Sequence, residues 1–543
     1  SGTAISLGAN TLTLSGGGTF SNTNALVLNN ADSLLSLAGI LTIGDVDGTA
    51  ASNTGKGIQV SSSATLGDYD LSAESYLAIA ANQTLAGQLN LQSNGELNIS
   101  GDGGYTGGIA LAGGKLNAVD DLTLAGTVSI SASSEIIVPT GSTLVLNQTG
   151  GLSLGANTLT LSGGGNFQSV GLDLNDEDSK LLLNSITVDS VSTSADSSGL
   201  DIDADSTVSS LSVANITPVA IADGITLSGA ITVTAGSIKL AETGTLASAI
   251  SMSGGVLDAD NSLTVSGTLT HTGNITIDVA VNKTLTYSGA AISLGANTLT
   301  LRGAGSLVSG GLTLNDPSSK LLVDSMTVDS VSTSVDNSLG LHVRNGNPTI
   351  SSLLVSNILP VVIEQGRSLS GAITVTNNGT LKLIKGYLDN TGYLLSSISM
   401  SGGKLEADNS LTVTGALTHT GNITIDVASG KTLTYTGTAI SLGANTITLS
   451  GGGSLVSGGL TLNDTSSKLL LNSITLDSVS TSADSLGLDV DGDSTVTSLS
   501  VGHTTPVSIA SGKTLSGAIT VTAGSIKLGE TGELASTIAM SGG

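Results

Sequence analysis

Apolar and polar residues alternate with period two along the chain, and short turns interrupt the alternation at regular points. In the phrase "ISLGANTLTL" from Ile5, Ile and Leu alternate with Ser and Thr on either side of Gly-Ala-Asn. Such alternation predicts strands with one buried face. Gly and Asn favour turns that need a positive φ. We therefore expect an all-β chain of short strands, about three to six residues each.

The opening phrase returns three times at long intervals. Its Gly-Ala-Asn turn begins at Gly8, Gly155, Gly295 and Gly443, which are 147, 140 and 148 residues apart. Repetition with a fixed period is the signature of a repeat architecture. We interpret the chain as one continuous solenoid of tandem repeat units, the first being the most diverged and the last partial. The units span residues 1–147, 148–287, 288–435 and 436–543.

A shorter rhythm runs inside each unit, in which three strands and three turns occupy roughly 20 to 22 residues. Each unit would then hold about seven coils. A sandwich also has short strands at regular spacing, but its core needs aromatic anchors and longer strands. The pattern favours a parallel β-solenoid, taken as a right-handed β-helix, in which each coil pairs with the next. At about 4.8 Å per coil, roughly 26 coils would form an elongated rod on the order of 120 Å long.

The composition narrows the kind of core and the kind of partner. The 543 residues include 73 Gly, 7 Tyr, 2 Phe and no Trp or Cys, so the core must be aliphatic and narrow. A mean hydropathy of +0.34 argues against wholesale disorder. The net charge of −26 repels phosphate backbones, so nucleic acid is not an expected partner.

The apolar runs are too short for a transmembrane segment. The most apolar run, from Leu353, is about half the length that a spanning helix needs, and it contains Asn357 and Pro360. Since the sequence begins at Ser1 without Met, we expect a processed product or a section of a longer chain.

One unit carries a six-residue insertion. The stretch from the Gly-Ala-Ile phrase to the following Met measures 29 residues in the third unit and 23 in the second and fourth. Solenoids accommodate insertions as loops off one edge, often on a binding face. Neutral variation in a tolerant loop is the alternative interpretation. The binding-loop candidates near 382–393 are Lys382, Lys385, Tyr387 and Tyr393.

Catalytic chemistry is not indicated. Of the four histidines, His271 and His419 share one repeat position, which alternation predicts to face solvent. Metalloprotease, hydrolase, P-loop and dinucleotide motifs are absent from the sequence. Glycan-cleaving solenoids need acidic pairs or basic residues at a groove, whereas Lys and Arg are sparse here. We predict no enzyme, no catalytic residue and no cofactor-binding residue.

Calcium is the one cofactor that the residue pattern suggests. The stretches "DIDADS" and "DVDGDS" alternate carboxylates as hard-cation sites do. Neither matches an EF-hand loop, and the third unit has Arg344 where an acid is expected. Solvated carboxylates on an outer face are the alternative. The weak calcium candidates are Asp201, Asp203, Asp205, Asp489, Asp491 and Asp493.

Pairs of the form Thr-x-Thr suggest a further surface function. Thr232 with Thr234, and Thr298 with Thr300, have the spacing of flat ice-binding faces. Ice binding requires one face tiled by such pairs in coil after coil. Thr is also a common solvent-facing strand residue, which is the simpler interpretation.

The phrases "TLTLSGGG", "LTVSGTLTHTGNITI" and "SGKTLTYTGTAISLGAN" resemble the repeats of large bacterial exported surface proteins. They are similar to those of filamentous-haemagglutinin-type adhesins and autotransporter passengers. The resemblance covers essentially the whole chain, in composition and rhythm, and carries no site residue. It implies an extracellular, cell-surface β-solenoid stalk or fibre.

Two functions are therefore expected to compete. The first is a structural subunit or segment of an extracellular surface or biofilm-matrix filament, a homopolymer whose coils pair end to end by β-strand addition. The alternative is an adhesin stalk that presents a binding module to cells or glycans.

Overall fold

The computed structural model describes residues 3–21, 23–384, 392–529 and 531–543, and these contain no helix. The chain is an all-β parallel solenoid of about 26 turns. The expected fold class and coil number are thereby confirmed. The chain forms two compact units, Ser1–His271 and Thr272–Gly543, whose bounds differ from those of the four sequence repeats.

The strands of both units are short and follow one another without helical crossovers. In the first unit they are Ile5–Ser6, Thr11–Phe20, Leu26–Leu28, Leu34–Ile43, Val46–Gly48, Gly57–Val60, Ala64–Leu71, Glu74–Ile79, Thr84–Gln92, Glu96–Ser100, Gly104–Tyr105, Gly108–Ala112, Lys115–Ala118, Leu122–Leu124, Val128–Ala132, Ser134–Ile137, Thr143–Leu146, Leu152–Ser153, Thr158–Ser162, Asn166–Ser169, Leu172–Leu174, Lys180–Asn184, Thr187–Thr193, Gly199–Ile202, Ser206–Val213, Ile216–Ile221, Thr226–Val233, Ser237–Leu240, Thr245–Leu246, Ala249–Met252, Val256–Ala259, Leu263–Val265 and Leu269–His271. In the second unit they are Ile275–Val279, Thr284–Tyr287, Ile292–Ser293, Thr298–Gly303, Ser306–Val308, Leu312–Leu314, Lys320–Val323, Thr327–Thr333, Gly340–Val343, Thr349–Val355, Ile358–Ile363, Ser368–Val375, Thr380–Ile384, Tyr393–Leu394, Ser397–Met400, Lys404–Ala407, Leu411–Val413, Leu417–His419, Ile423–Val427, Thr432–Tyr435, Ile440–Ser441, Thr446–Ser450, Ser454–Val456, Leu460–Leu462, Lys468–Asn472, Thr475–Thr481, Gly487–Val490, Ser494–Val501, Thr505–Ile509, Thr514–Val521, Ile526–Leu528 and Glu533–Met540.

A coil consists of a first, a second and a third strand segment. In one coil the three segments are separate strands, namely Lys404–Ala407, Leu411–Val413 and Leu417–His419. In another coil the second and third segments form one continuous strand, Thr327–Thr333. Register partners in adjacent coils lie 19 residues apart at Leu471 and Val490 but 24 apart at Ile425 and Leu449. The coil length is therefore more variable than expected, because the turns differ in length.

Each long repeat corresponds to seven coils, as expected. In the compact unit Ser1–His271, the first strand segments begin at residues 11, 34, 57, 74, 96, 115, 134 and 158. The first and last of these each follow a Gly-Ala-Asn turn directly, so seven coils separate the two copies of the phrase. In the second unit, the segments that begin at 298 and 446 are likewise seven coils apart.

The core is a set of aliphatic columns in which each side chain lies over its counterpart. Leu159 pairs in register with Leu181 and Leu181 with Leu200, and all three are fully buried. Complete burial of one such side chain contributes about 1.5–3 kcal/mol. Repetition of this contact from coil to coil holds each unit together.

Two of the buried tyrosine rings lie beside glycines that leave room for them. The Tyr105 hydroxyl lies 2.8 Å from the Gly87 carbonyl oxygen and 3.0 Å from that of Gly108, and can donate its proton to either. A Cβ atom at Gly107 would lie 2.5 Å from that hydroxyl oxygen. Tyr435 has the same relation to Gly437, at 2.2 Å. At these two positions the hydroxyl end of the ring occupies space that a neighbouring side chain would fill.

The first copy of the opening phrase is less buried than its repeats. Leu152 and Leu154 are buried, as is Leu7, but Ile5 is 46% exposed. Ile5 pairs with Leu26 on one side, and no strand among the described residues pairs with it on the other. In this first coil the inward orientation therefore buries Leu7 but leaves Ile5 partly exposed.

Gly371 forms the corner at which a long strand bends between its second and third segments. Its φ is 119°, and a Cβ atom there would lie 1.7 Å from the Ile350 carbonyl oxygen. The register between this strand and the preceding coil shifts at the same point. Both backbone conformation and space therefore require glycine.

We expect Gly371→Ala to lower the free energy of unfolding by about 3 kcal/mol, because the strained φ and a main-chain clash act together. Urea denaturation followed by circular dichroism measures the change. Gly366→Ala is the control, since Gly366 has a φ of 69° and nothing within 4 Å of its Cβ position. That control should cost about 1 kcal/mol, and equal losses in the two variants would contradict the clash.

Candidate functional site

Each Gly-Ala-Asn turn is fixed by the coil that follows it. The Gly295 amide donates to Asn315 Oδ1 at 2.8 Å, and Ser319 Oγ donates to the Gly295 carbonyl at 2.6 Å. Asn297 closes the turn from inside with a 3.1 Å bond to the Leu294 carbonyl. The φ of Gly295 is 56°, in the left-handed region that glycine favours.

The same clamp recurs at every copy of the phrase. The serine hydroxyl donates to the turn glycine's carbonyl at 2.6 Å in all four copies, and all four serines are 0% exposed. Two repeated phrases that lie far apart in the sequence thus form one structural unit. The four serines are Ser33, Ser179, Ser319 and Ser467.

The third carboxylate of each of the two calcium-candidate stretches caps a turn of the following coil. Asp205 Oδ1 accepts the Thr226 amide at 2.8 Å, and Asp493 Oδ1 accepts the Thr514 amide at 2.9 Å. In the third repeat Asn347 does the same for Ser368 at 2.9 Å. Because a neutral amide serves equally well, the position requires an oxygen acceptor rather than a negative charge.

The other calcium candidates are used differently. Asp201 forms an ion pair with Lys180, and Asp489 pairs with Lys468 at 2.5 Å. Asp203 and Asp491 are exposed. Across the described ranges, no group of three or more His, Asp or Glu side chains is placed to hold a metal ion. The structure therefore does not bring the six aspartates together, and the calcium site stays a prediction without geometric support.

Two of the four binding-loop candidates, Lys385 and Tyr387, lie outside the described residues. Lys382 belongs to the strand Thr380–Ile384 and is held by Glu406 at 2.6 Å and Asp408 at 3.0 Å. Tyr393 belongs to a strand as well and is 45% exposed. Only Tyr393 among the described candidates presents a surface for a ligand.

Lys382 belongs to a charge ladder that joins three coils. Glu406 lies 2.9 Å from Lys404, and Lys404 lies 2.7 Å from Asp426 in the next coil. Burial alone would raise the pKa of Glu406, but hydrogen bonds from Lys382 and Lys404 outweigh it and lower that pKa below its usual value. The hydrogen bond with Glu406 raises the pKa of Lys382. The ladder therefore stabilises its own charged state.

A second polar column, in the first unit, was not foreseen from the sequence. Its members follow one another in register on the outer face of successive first strand segments. Lys115 pairs with Glu135 at 2.9 Å, and Glu74 accepts the Tyr76 hydroxyl at 2.8 Å. In the sequence, the only indication is one charged residue at the equivalent outward position of each coil. That pattern can be recognised only once the register between coils is known. The column is Glu74, Glu96, Lys115 and Glu135.

The two equivalent histidines are half-buried rather than solvent-facing. The ring nitrogens of His419 lie 3.2 Å from the Gly421 carbonyl and 3.0 Å from the Ser441 carbonyl. These contacts hold the imidazole against the surface of the coil. The prediction of free surface histidines is wrong in this respect.

The Thr-x-Thr pairs do not share one face. Thr298 and Thr300 are half-buried on a first strand segment, whereas Thr232 and Thr234 are exposed at a third segment. The two pairs therefore do not tile a common plane.

No protein-family model matches the chain, and neither a curated protein nor a solved structure shows significant similarity to it. In the part of the chain that the structure describes, no helix is long and apolar enough to cross a membrane.

Loss of the clamp hydroxyl should be costly. We expect Ser319→Ala to lower the free energy of unfolding by about 1–2 kcal/mol, because the Gly295 carbonyl and the Asp316 amide lose a buried partner. Hydrogen exchange at the Gly295 turn measures the local effect. Ser318→Ala, which alters an exposed neighbour, should leave exchange unchanged. Comparable exchange in both variants would argue against the clamp.

The charge ladder predicts a defined pH dependence. We expect Glu406→Gln to cost about 1 kcal/mol at pH 7, since these side chains remain partly exposed. Because the pKa of Glu406 is lower in the folded than in the unfolded protein, its charge adds to the free energy of unfolding above the unfolded-state pKa. That contribution is lost as the pH falls through the folded-state pKa. The pKa of Lys382 is raised on folding, so its contribution is present below the unfolded-state pKa and is lost as the pH rises through the folded-state pKa. Denaturation curves should therefore converge for wild type and variant toward pH 3, and a constant difference would contradict the ladder.

Proposed function

We propose that this chain is a structural segment of an extracellular bacterial surface or matrix filament that assembles along the solenoid axis by strand pairing. The observation that supports it most is the in-register stacking of coils in both units. The four buried clamp serines and the outward Lys382 ladder both bond to the neighbouring coil. Such contacts between coils suit a structural, load-bearing role.

Axial assembly follows from the equivalence of the coils. Any coil presents a row of main-chain donors and acceptors and an aliphatic interior at the same spacing, so any other coil edge is complementary to it. The strand Glu533–Met540 exposes such an interior, with Ile538 at 49% and Met540 at 63%. Their register partners Ile519 and Val521 in the adjacent coil are buried. A row of this kind is the contact surface that axial assembly would use.

The bacterial and extracellular setting is supported by the likeness of the repeat phrases to exported surface proteins. The alternative role, an adhesin stalk, is favoured by one observation. Tyr393 is the exposed aromatic side chain at the edge of the repeat with the insertion, and an exposed ring offers a stacking surface to a sugar.

We expect the purified protein to form filaments that lengthen with concentration, visible by electron microscopy and measurable by analytical ultracentrifugation. Ile538→Lys should abolish them, because a charge would enter the apolar contact between coils. Ile40→Lys is the matched control, since Ile40 is 78% exposed on an outward strand position. Monodisperse particles of the wild type at high concentration, or equal loss in both variants, would overturn axial assembly.

A further inference from the structure

Three Asn-Gly dipeptides occur in the chain, and they differ in how the glycine amide is used. An asparagine followed by glycine can cyclise, because glycine has no side chain to hinder the approach of its own nitrogen to the asparagine side chain. All three asparagines are exposed, so access to water does not distinguish them. The dipeptides are Asn94-Gly95, Asn345-Gly346 and Asn378-Gly379.

In two of these dipeptides the glycine amide closes a tight turn. The Gly95 amide donates to the Gln92 carbonyl oxygen at 2.7 Å, and the Gly379 amide donates to the Thr376 carbonyl oxygen at 2.9 Å. Both glycines are buried, and main-chain atoms of the preceding coil occupy the place that a Cβ atom would take. An amide held in this way reaches the asparagine side chain only after the turn has opened.

The Asn345-Gly346 dipeptide lacks these restraints. Within the described ranges, neither of its residues takes part in a hydrogen bond or an ion pair, through the main chain or the side chain. Gly346 is half-buried, and the atom that a Cβ would meet first is the hydroxyl oxygen of Ser325, whose side chain is exposed. The Gly346 nitrogen is therefore available without prior opening of a hydrogen-bonded turn.

The turn that carries this dipeptide is longer than its counterparts. Residues 344–348 connect the first strand segment to the next strand in the third repeat, whereas residues 203–205 and 491–493 make this connection in the second and fourth repeats. Asn345 and Gly346 lie inside the longer turn. The two shorter turns contain aspartates and no asparagine, so an acidic side chain is compatible with this part of the coil.

Neighbouring coils hold the longer turn near its two ends. At its beginning, Arg344 pairs with Asp324 of the preceding coil at 3.4 Å. Near its end, Asn347 accepts a hydrogen bond from the Ser368 amide of the following coil at 2.9 Å. The dipeptide between these anchors can change its conformation without breaking a contact between coils.

We propose that Asn345 is a site of spontaneous modification, at which water replaces the side-chain amide through a cyclic succinimide. The Gly346 main-chain nitrogen loses its proton to solvent and attacks Asn345 Cγ. The new bond between this nitrogen and Cγ forms as the Cγ–Nδ2 bond breaks, and Nδ2 leaves as ammonia with a proton from solvent. Neither oxidation nor reduction is involved.

Water then opens the ring. It adds to either carbonyl carbon, the bond between that carbon and the Gly346 nitrogen breaks, and the nitrogen regains a proton. Opening at Cγ leaves aspartate, and opening at the main-chain carbon leaves isoaspartate. Either product places a new carboxylate in the sequence beside Arg344. The reaction is independent of axial assembly, because it involves no strand edge.

Peptide mapping by mass spectrometry, after incubation of the intact protein in mildly alkaline buffer, tests the proposal. The rate of conversion at each asparagine is compared between the folded protein and the protein unfolded in urea, which corrects for the different neighbouring residues. We expect folding to leave the rate at Asn345 nearly unchanged. Folding should slow conversion at Asn94 and Asn378 by about fivefold or more, because a main-chain hydrogen bond reduces the population with a free amide by about that factor.

Asn345→Gln is the matched control, since the longer side chain closes a ring far less readily. Isoelectric focusing of this variant should show no early acidic species, and circular dichroism should match that of the wild type. Two results would overturn the proposal. One is a folded-state rate at Asn345 that is slowed as much as the rates at Asn94 and Asn378. The other is an acidic species that appears equally fast in the Asn345→Gln variant.

Discussion

Main-chain hydrogen bonding between parallel strands of successive coils sets the spacing on which the rest of this structure depends. At about 4.8 Å from coil to coil, each side chain has its counterpart directly above and below. Aliphatic side chains tolerate this stacking, and Leu159, Leu181 and Leu200 form one such column. A large ring needs more room, and at Tyr105 a neighbouring glycine, Gly107, provides it. A core of stacked aliphatic columns is consistent with the scarcity of aromatic residues in the sequence.

The same spacing governs the charged residues on the outer face. Like charges in register repel, and Asp47 shows the effect. Burial, then the neighbouring Asp70 in the next coil and Asp45, raise the pKa of Asp47. In the ladder of Lys382, Glu406 and their neighbours the sign alternates instead. Opposite charges in adjacent coils therefore pair on part of the surface, although the net charge is −26.

Much of the fold could be predicted from the sequence because its period is visible in the residues themselves. Alternation gave the strands, and the repeated Gly-Ala-Asn turn gave seven coils to a repeat. Side-chain partners were not predictable in the same way. The partners lie in neighbouring coils, about one coil apart along the chain. That separation is not constant, being 19 residues at Leu471 and 24 at Ile425. Without the register, Asp205 could not be recognised as a turn cap, nor Asp201 as the partner of Lys180.

The candidate site illustrates the same limit. Tyr393 was visible because an insertion marks it, whereas the column of Glu74, Glu96, Lys115 and Glu135 is formed by residues from separate coils with no motif in common. Lys115 and Glu135 become neighbours only when two first strand segments are aligned. Sequence reasoning that searches for local motifs will miss such a site, because its residues are adjacent across the sheet and not along the chain.

The third repeat shows which positions are free to change. Where the second and fourth repeats have Asp201 and Asp489, it has His342, which bonds to Glu364 of the following coil at 2.8 Å. Two residues further on, Arg344 pairs with Asp324 of the preceding coil at 3.4 Å. The inward residues Leu341 and Val343, on either side of His342, remain buried. Outward columns accept new chemistry whenever a neighbouring coil supplies a partner, whereas inward columns admit little change, because the backbone leaves no room for it. New side-chain chemistry on this fold is therefore expected to arise on outward columns, as it has at His342 and Arg344.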